Sequence, residues 1–386
     1  MQKFPQLTYD RPDVETIKKE LNAAIDGFLA ASSYEEARAL YVRLEGLDAG
    51  FSTMYNIASI RNTMDTANEF YDGEINYFNA VTPEYMLVLK RASQALTESP
   101  FKDEFAKEFG AIFIKKAENA QRIMSEEIAG DLVEESNLEQ EYSKTVAACS
   151  ADFCGEACNF YGLLKHMQST DRAEREEAFL AWAKLYEGVS EKLDGIYDRL
   201  VQIRVRMAKK LGFENYTELA YLNKNRFDYT AQDVAAFREQ VKKVIVPACA
   251  RIFELQRRRL GIDKLRYYDE SLVFPEGNAV PVGDMDCLVN AAGGMYRELS
   301  PETGEFFDFM IEHDLFDLVT RPNKHMGGYC TFLESFKAPF IFSNFNGTSA
   351  DVDVLTHEAG HAFQAYVASR SWRSAAPPAR STRSIP

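Results

Sequence analysis

Histidine is scarce in this chain, with five in 386 residues, and tryptophan is scarcer, with two. No apolar run approaches the length of a membrane span, and none at the N-terminus reads as a signal peptide. The six cysteines (149, 154, 158, 249, 287 and 330) include no C-x-x-C pair. Cys154 and Cys158 are four apart in a stretch that reads as strand, which argues against zinc there. Reduced thiols in a cytoplasmic protein fit this usage. Basic residues are in deficit. The net charge of −15 excludes nucleic acid and anionic membrane as natural partners. No acidic residue follows Glu358.

What is present concentrates in one stretch. His357-Glu358-Ala359-Gly360-His361 reads H-E-x-x-H, which spends two of the five histidines four residues apart. On a helix, positions i and i+4 share a face, so two imidazoles can reach one Zn²⁺ at about 2.0–2.1 Å. The adjacent carboxylate can take a proton from a water that the metal activates. The plain alternative is a surface helix carrying two histidines and no metal. The context supports a well-formed helix over 350 to 369. Thr348-Ser349 offers an N-cap, and Asp351 and Asp353 suit the first turn. Val352, Leu355, Ala359, Ala362, Phe363 and Tyr366 recur at helical spacing.

Two strands precede that helix in the sequence pattern. Gly327-Gly328-Tyr329-Cys330-Thr331-Phe332-Leu333 follows a glycine turn. Pro339-Phe340-Ile341-Phe342-Ser343-Asn344-Phe345 closes at Asn346-Gly347. Pro339 suggests an edge strand, because proline cannot donate to a ladder. An edge beside the histidine helix could hold an extended peptide by its backbone. A purely structural hairpin is the alternative.

These segments, with Leu355-Thr356 before the histidine motif and Ala362-Phe363-Gln364 after it, resemble the oligoendopeptidase F family of thimet-oligopeptidase-like zinc metallopeptidases. Upstream segments are similar too: Gly155-Glu156, Ser169-Thr170-Asp171-Arg172 with Arg175, Arg204 through Leu211-Gly212-Phe213-Glu214-Asn215-Tyr216, Tyr268-Asp269-Glu270, and Phe274-Pro275-Glu276-Gly277-Asn278. The resemblance covers nearly all of 1 to 369. It implies a mainly α, enclosed peptidase fold, with a small β-hairpin or edge strand beside the zinc-binding helix. It implies His357 and His361 as zinc ligands, Glu358 as general base, and short peptides as substrates. Gly328, Tyr329, Phe342, Ser343 and Asn344 are the residues expected to meet the peptide.

The chain also departs from the family. A catalytic zinc takes three protein ligands and a water. The family's third ligand is a glutamate on the next helix, and a histidine and oxyanion-stabilising tyrosines lie further on. None of these has a counterpart here. Residues 370 to 386 hold four arginines, no acid and little apolar periodicity. They read as an unrelated, disordered tail of a truncated or frameshifted product, with a functional basic tail as the alternative. Without those arginines, 40 basic residues face 59 acidic ones, a net of −19. The expectation is a zinc oligopeptidase lineage, impaired or inactive as this chain, with weak zinc binding and exposed apolar surface near Phe363 and Tyr366. A non-catalytic peptide-binding fragment and a metal-free helix are the rival readings. Nothing in the sequence fixes the oligomeric state.

Elsewhere helix signals dominate. Asp13 precedes a helical pattern over Val14–Phe28, and Ser33 to Glu36 forms a capping box. Thr82-Pro83 suggests a helix start. Residues 101 to 129 and 133 to 148 read as helical, and 150 to 168 as a hairpin. Ser169 is expected to cap a long helix ending near Gly212. Helices are also expected over 231 to 260, 284 to 299 and 301 to 313, around a loop at 264 to 283. A helical domain over 1 to 200 and a partial catalytic domain over 201 to 369 are expected. His166, His313 and His325 read as ordinary core or surface histidines, and Arg257-Arg258-Arg259 as a solvated face.

Overall fold

The computed structural model describes residues 1–370. The expectations for the tail at 371–386 fall outside the described residues. Helices run in the order α1 (Val14–Ala30), α2 (Tyr34–Met64), α3 (Glu69–Glu98), α4 (Lys102–Phe109), α5 (Ala111–Arg122) and α6 (Ala129–Ala147). A two-stranded hairpin follows, β1 (Ala151–Phe153) and β2 (Glu156–Cys158). Then come α7 (Phe160–His166), α8 (Arg172–Lys210), α9 (Tyr216–Asn223), α10 (Ala231–Gln240) and α11 (Val246–Arg259), the last two joined through a π-helical turn. α12 (Met285–Leu299), α13 (Pro301–Glu312), β3 (Phe316–Val319), β4 (Tyr329–Leu333), β5 (Ala338–Phe345) and α14 (Ala350–Arg370) complete the order. The mainly α fold expected from sequence is what forms. No helix among the described residues is long and apolar enough to cross a membrane.

Several starts follow the local chemistry. Asp13 caps α1 by accepting from the Thr16 amide, and Ser33 caps α2 by accepting from the Glu36 amide. The Glu36 carboxylate, however, accepts from Ser32 rather than Ser33, so the capping box is only half formed. Thr82-Pro83 does not open a helix. It lies inside α3, which starts after the Asn68 cap and runs through the buried Pro83. The flanking Phe78, Tyr85 and Val88 are buried, and that packing outweighs the lost backbone bond. α8 starts from the Asp171 cap, while the Ser169 hydroxyl donates to Glu174. The hairpin expected over 150 to 168 ends at Cys158, and Asn159 caps a short helix instead.

Three apolar clusters organise the molecule. One joins α1 to α5 around Phe28, Tyr41, Phe78 and Phe105. A second joins α6, α8 and α9 around Leu138, Ile203 and Leu219. The third gathers α12, α13, the sheet and α14, and it also takes Phe4, Leu7, Ile57 and Ile60 from the first sixty residues. Phe4 packs on Phe340 with ring centroids 4.4 Å apart, and its amide donates to the His313 carbonyl. The N-terminal segment is thus part of the core that carries the histidine helix. The expected boundary at residue 200 falls inside the unbroken α8, so no linker divides the chain there.

The sheet holding the second strand pair has the order β3-β5-β4. β3 runs parallel to β5 and β4 antiparallel to it. β5 is therefore the central strand, not the edge that Pro339 suggested. β3 is short and pairs only from Ile341 onward, so Pro339 sits where β5 has a partner on one side alone. The edge beside α14 is β4.

α8 is also tied to the loop expected at 264 to 283. The Asp269 carboxylate is fully buried and takes bonds from both Arg172 and Arg175, at 2.8 Å to each nearer guanidinium nitrogen. Burial pushes this carboxyl up. The two guanidinium groups and the Arg266 amide outweigh that and hold it below the usual carboxylate range. Asp269→Ala would leave Arg175 buried without its counter-charge and should cost about 3–5 kcal/mol in denaturant unfolding. Because the folded pKa is depressed, the pair's contribution is present above the unfolded value near about 3.9 and is lost as pH falls through the folded one. A variant that unfolds at the wild-type midpoint at neutral pH would contradict this.

Candidate active site

α14 is positioned by the turn that feeds it. Asp351 is buried, and its carboxylate accepts from the Asn346 amide at 3.0 Å and the Gly347 amide at 2.8 Å. Asn346 Oδ1 accepts from the Thr348 hydroxyl at 2.7 Å, and Asn346 Nδ2 donates to the Tyr161 carbonyl of α7 at 2.9 Å. The helix then lies across β5 and β4, with Leu355, Ala359, Ala362 and Tyr366 in the core.

That seating turns the two histidines outward, where both are exposed. Their Nε2 atoms lie 3.2 Å apart, with the rings close to perpendicular at 79°. Two nitrogens at about 2.0–2.1 Å from one tetrahedral zinc would be about 3.3–3.4 Å apart. The spacing of the imidazoles is thus close to that of two ligands of a single ion. Among the described residues, no further histidine, cysteine or acid joins them in a group of three metal-ligating side chains. The residues present fit a zinc ion as two of its ligands.

Glu358, the next residue along the helix, is buried beside the two imidazoles. Burial pushes its carboxyl up, while the two imidazoles and the Cys330 backbone amide act to lower it. Cys330 was not singled out from sequence as a site residue. Its thiol is pushed up to about 12, first by burial and then by the Glu358 carboxylate. The signal for this closeness is the strand register, which sequence alone does not supply.

The expected peptide-contacting residues divide. Phe342, Ser343 and Asn344 are buried in the central strand, whose backbone is taken by two neighbours. Their side chains belong to the packed scaffold of the sheet. Asn344 Nδ2 donates to the carbonyls of His325 and Gly327, at 2.9 and 2.8 Å, and so shapes the glycine turn. Tyr161 of α7 accepts from the Gly327 amide at 2.8 Å. Lys324, buried over the Phe342 ring, donates to the carbonyls of Asp317 and Val319, and burial lowers it to about 8. Tyr329 is half-buried, stacked on Phe342 at 4.8 Å, with its hydroxyl 2.6 Å from that of Thr63. Gly328 is exposed and stands where the chain passes α14. A Cβ there would lie 3.3 Å from Val354 Cγ1 and 3.4 Å from the Phe342 carbonyl, so a side chain would push the edge strand off the helix.

β4 has a strand partner on one side only. Asn56 of α2 donates to the Phe332 carbonyl at 2.9 Å, so the polar groups of Phe332 face away from β5. The period of two puts those of Cys330 on the same outer side, next to Glu358. Phe363 and Tyr366 do not form the exposed apolar surface expected of them, because both rings pack against Phe306 of α13, at 5.4 Å each, and the adjacent Val367 is the exposed apolar residue there. Exposed apolar residues gather instead on α10 and α11, at Phe237, Ile252, Phe253 and Leu255. Of the remaining histidines, His313 ends α13 against Phe309, and burial lowers His325.

The known proteins agree with this geometry. The family model for the peptidase M3 N-terminal domain matches residues 4–124, and that for peptidase family M3 matches 165–274 and 305–380. The chain belongs to peptidase family M3. Within it, the similarity is to oligoendopeptidase F. One solved structure assigned as an oligoendopeptidase F is 42% identical, with a TM-score of 0.94 over 96% of this chain and 66% of its own. Another, from Bacillus anthracis str. Ames, is 41% identical, with a TM-score of 0.94 over 97% and 69%. PZ peptidase A, solved with an inhibitor, is 45% identical, with a TM-score of 0.93 over 94% and 65%. The chain thus spans about two thirds of the length of these relatives. No curated protein matches it.

His357→Ala and His361→Ala should each strip metal from α14. The loss of affinity should exceed the about 10–100-fold typical of outer-shell partners, since a direct bond is removed. Plasma emission on the dialysed protein reads this, and equal zinc in wild type and both variants would remove the assignment.

Proposed function

We propose that this chain carries the active-site helix of a zinc-dependent oligopeptidase, which hydrolyses internal bonds of short peptides. The observation that supports it most is the 3.2 Å separation of the two imidazole nitrogens, with the buried Glu358 beside them. His357 and His361 would hold the metal, which when bound polarises a carbonyl and makes water more acidic. Glu358 would accept the proton of the attacking water and pass it to the leaving amine. Its buried setting favours such a shuttle, because burial raises the carboxyl towards neutrality. The substrate peptide would add to the side of β4 that has no strand partner, where the Cys330 carbonyl faces outward next to that base. The six free cysteines suit a reducing, cytoplasmic setting. A second reading, peptide binding without turnover, is favoured by the two-ligand site among the described residues.

Turnover separates the two readings. Hydrolysis of internally quenched peptides is measured for the chain alone, and for the chain joined to the last third of its 45%-identical relative. Glu358→Gln should keep its zinc and lose about 10²–10⁴ in kcat, since the amide cannot take the proton. Near wild-type kcat in that variant, or no zinc-dependent hydrolysis in either form, would contradict the peptidase reading.

The edge-strand contact has its own test. A peptide analogue N-methylated at the residue facing β4 should inhibit less well than its parent, because methylation removes a donor. Equal inhibition constants would place the peptide elsewhere.

A further inference from the structure

The spacing of Cys154 and Cys158 argues against a metal when only the sequence is read. The fold supplies what the spacing lacks. His166 closes α7 and Glu174 lies in the first turn of α8, and both are brought against the β1–β2 hairpin. The ligand atoms of Cys154, His166 and Glu174 lie within 4.8 Å of one another, and so do those of Glu156, Cys158 and His166. The two sets share one imidazole. We propose that Cys154, Cys158 and His166, with Glu174 or Glu156, form a second metal site that takes a thiophilic divalent cation such as zinc.

Two thiols, an imidazole and a carboxylate are a donor set suited to tetrahedral zinc, and the soft sulfurs disfavour magnesium and calcium. Ligand atoms around such an ion stand about 3.3–3.8 Å apart, so each set would draw in from its present reach of 4.8 Å, and the two thiols would close on the shared imidazole from either side. The imidazole is already oriented, since His166 Nδ1 lies 2.7 Å from Glu174 Oε1. The other Glu174 oxygen accepts from the Ser169 hydroxyl at 2.6 Å. Where Glu174 keeps this bond, the other ring nitrogen is left for a metal and Glu156 is the carboxylate ligand.

The hairpin itself is unusual. Cys154 and Gly155 are the two central residues of its turn, with φ of 51° and 83°. Asn-Gly or Gly-Gly is the ordinary choice there, and a cysteine in the left-handed region places a thiol at the tip. Cys158 is buried against α7 because Gly162 has no side chain. A Cβ at that position would lie 3.1 Å from the Cys158 sulfur. Around the thiols stand Glu156, Glu174 and Glu177, with Lys165 the base acting on Cys158. Burial first, and the neighbouring acids after it, push both thiols up, so each cysteine that ligates releases a proton. The site would pin the hairpin to the corner between α7 and α8. The same α7 holds the glycine turn through Tyr161.

The test silences the first site with His357→Ala/His361→Ala, so that its outcome does not depend on the peptidase reading. Zinc is added at about 100 times its measured Kd, and alkylation by N-ethylmaleimide is followed cysteine by cysteine by mass spectrometry. Cys154 should be protected about 100-fold, by mass action, while the exposed Cys249 and Cys287 should react as before. Cobalt bound in the same background should show a thiolate charge-transfer band, which Cys154→Ser/Cys158→Ser removes. Unchanged alkylation of Cys154 in saturating zinc would overturn the proposal, as would a cobalt–thiolate band that survives the double serine variant. Should the serine variant fail to fold, the alkylation result on the native cysteines decides.

Discussion

The buried carboxylate of Asp351 fixes everything at the candidate site. By accepting two amides of the 346–347 turn, it sets where α14 begins relative to β5. A helix turns about 100° per residue. A start displaced by one residue would rotate His357 and His361 away from the outer face and carry Glu358 out of its pocket. Burial of Leu355, Ala359 and Tyr366 locks the same register from the inside. The placement of the histidine pair and of Glu358 therefore depends on one polar clamp and one apolar seam.

The sheet under the helix contributes two different things. β5 is a buried spine with both backbone edges used, so its side chains do structural work, as Asn344 does for the glycine turn. β4 has a strand partner on one side only and lies beside Glu358. Pieces remote in sequence hold this arrangement together. Phe4 packs beneath β5, α2 secures β4 through Asn56 and Thr63, and α7 secures the two loops that flank the helix. That dispersion explains why the similarity to M3 peptidases runs along the chain instead of stopping at the histidine motif.

What was legible in the sequence was local. The i, i+4 histidines, the acids in the first turn and the apolar spacing describe α14 almost to the residue, because each acts within one or two turns. The caps at Asp13 and Ser33 are legible for the same reason. What escaped was non-local. Pro339 suggested an edge because proline lacks a donor, but strand order depends on β3, whose four residues give little signal between a helix and a loop. Thr82-Pro83 carries a start signal that the buried neighbours in α3 override. The nearness of Cys154 and Cys158 to His166 and Glu174 escaped as well, because those partners arrive on two separate helices. The nearness of Cys330 to Glu358 follows from how α14 crosses β4, which no spacing encodes.

The claim on which the rest stands is that α14 holds a metal ion between its two histidines. The most direct measurement is anomalous scattering at the zinc edge from crystals of the protein grown with zinc. The account predicts a peak between His357 and His361 at about 2.0–2.1 Å from both Nε2 atoms. Zinc-loaded crystals with density for both imidazoles and no peak between them would contradict it.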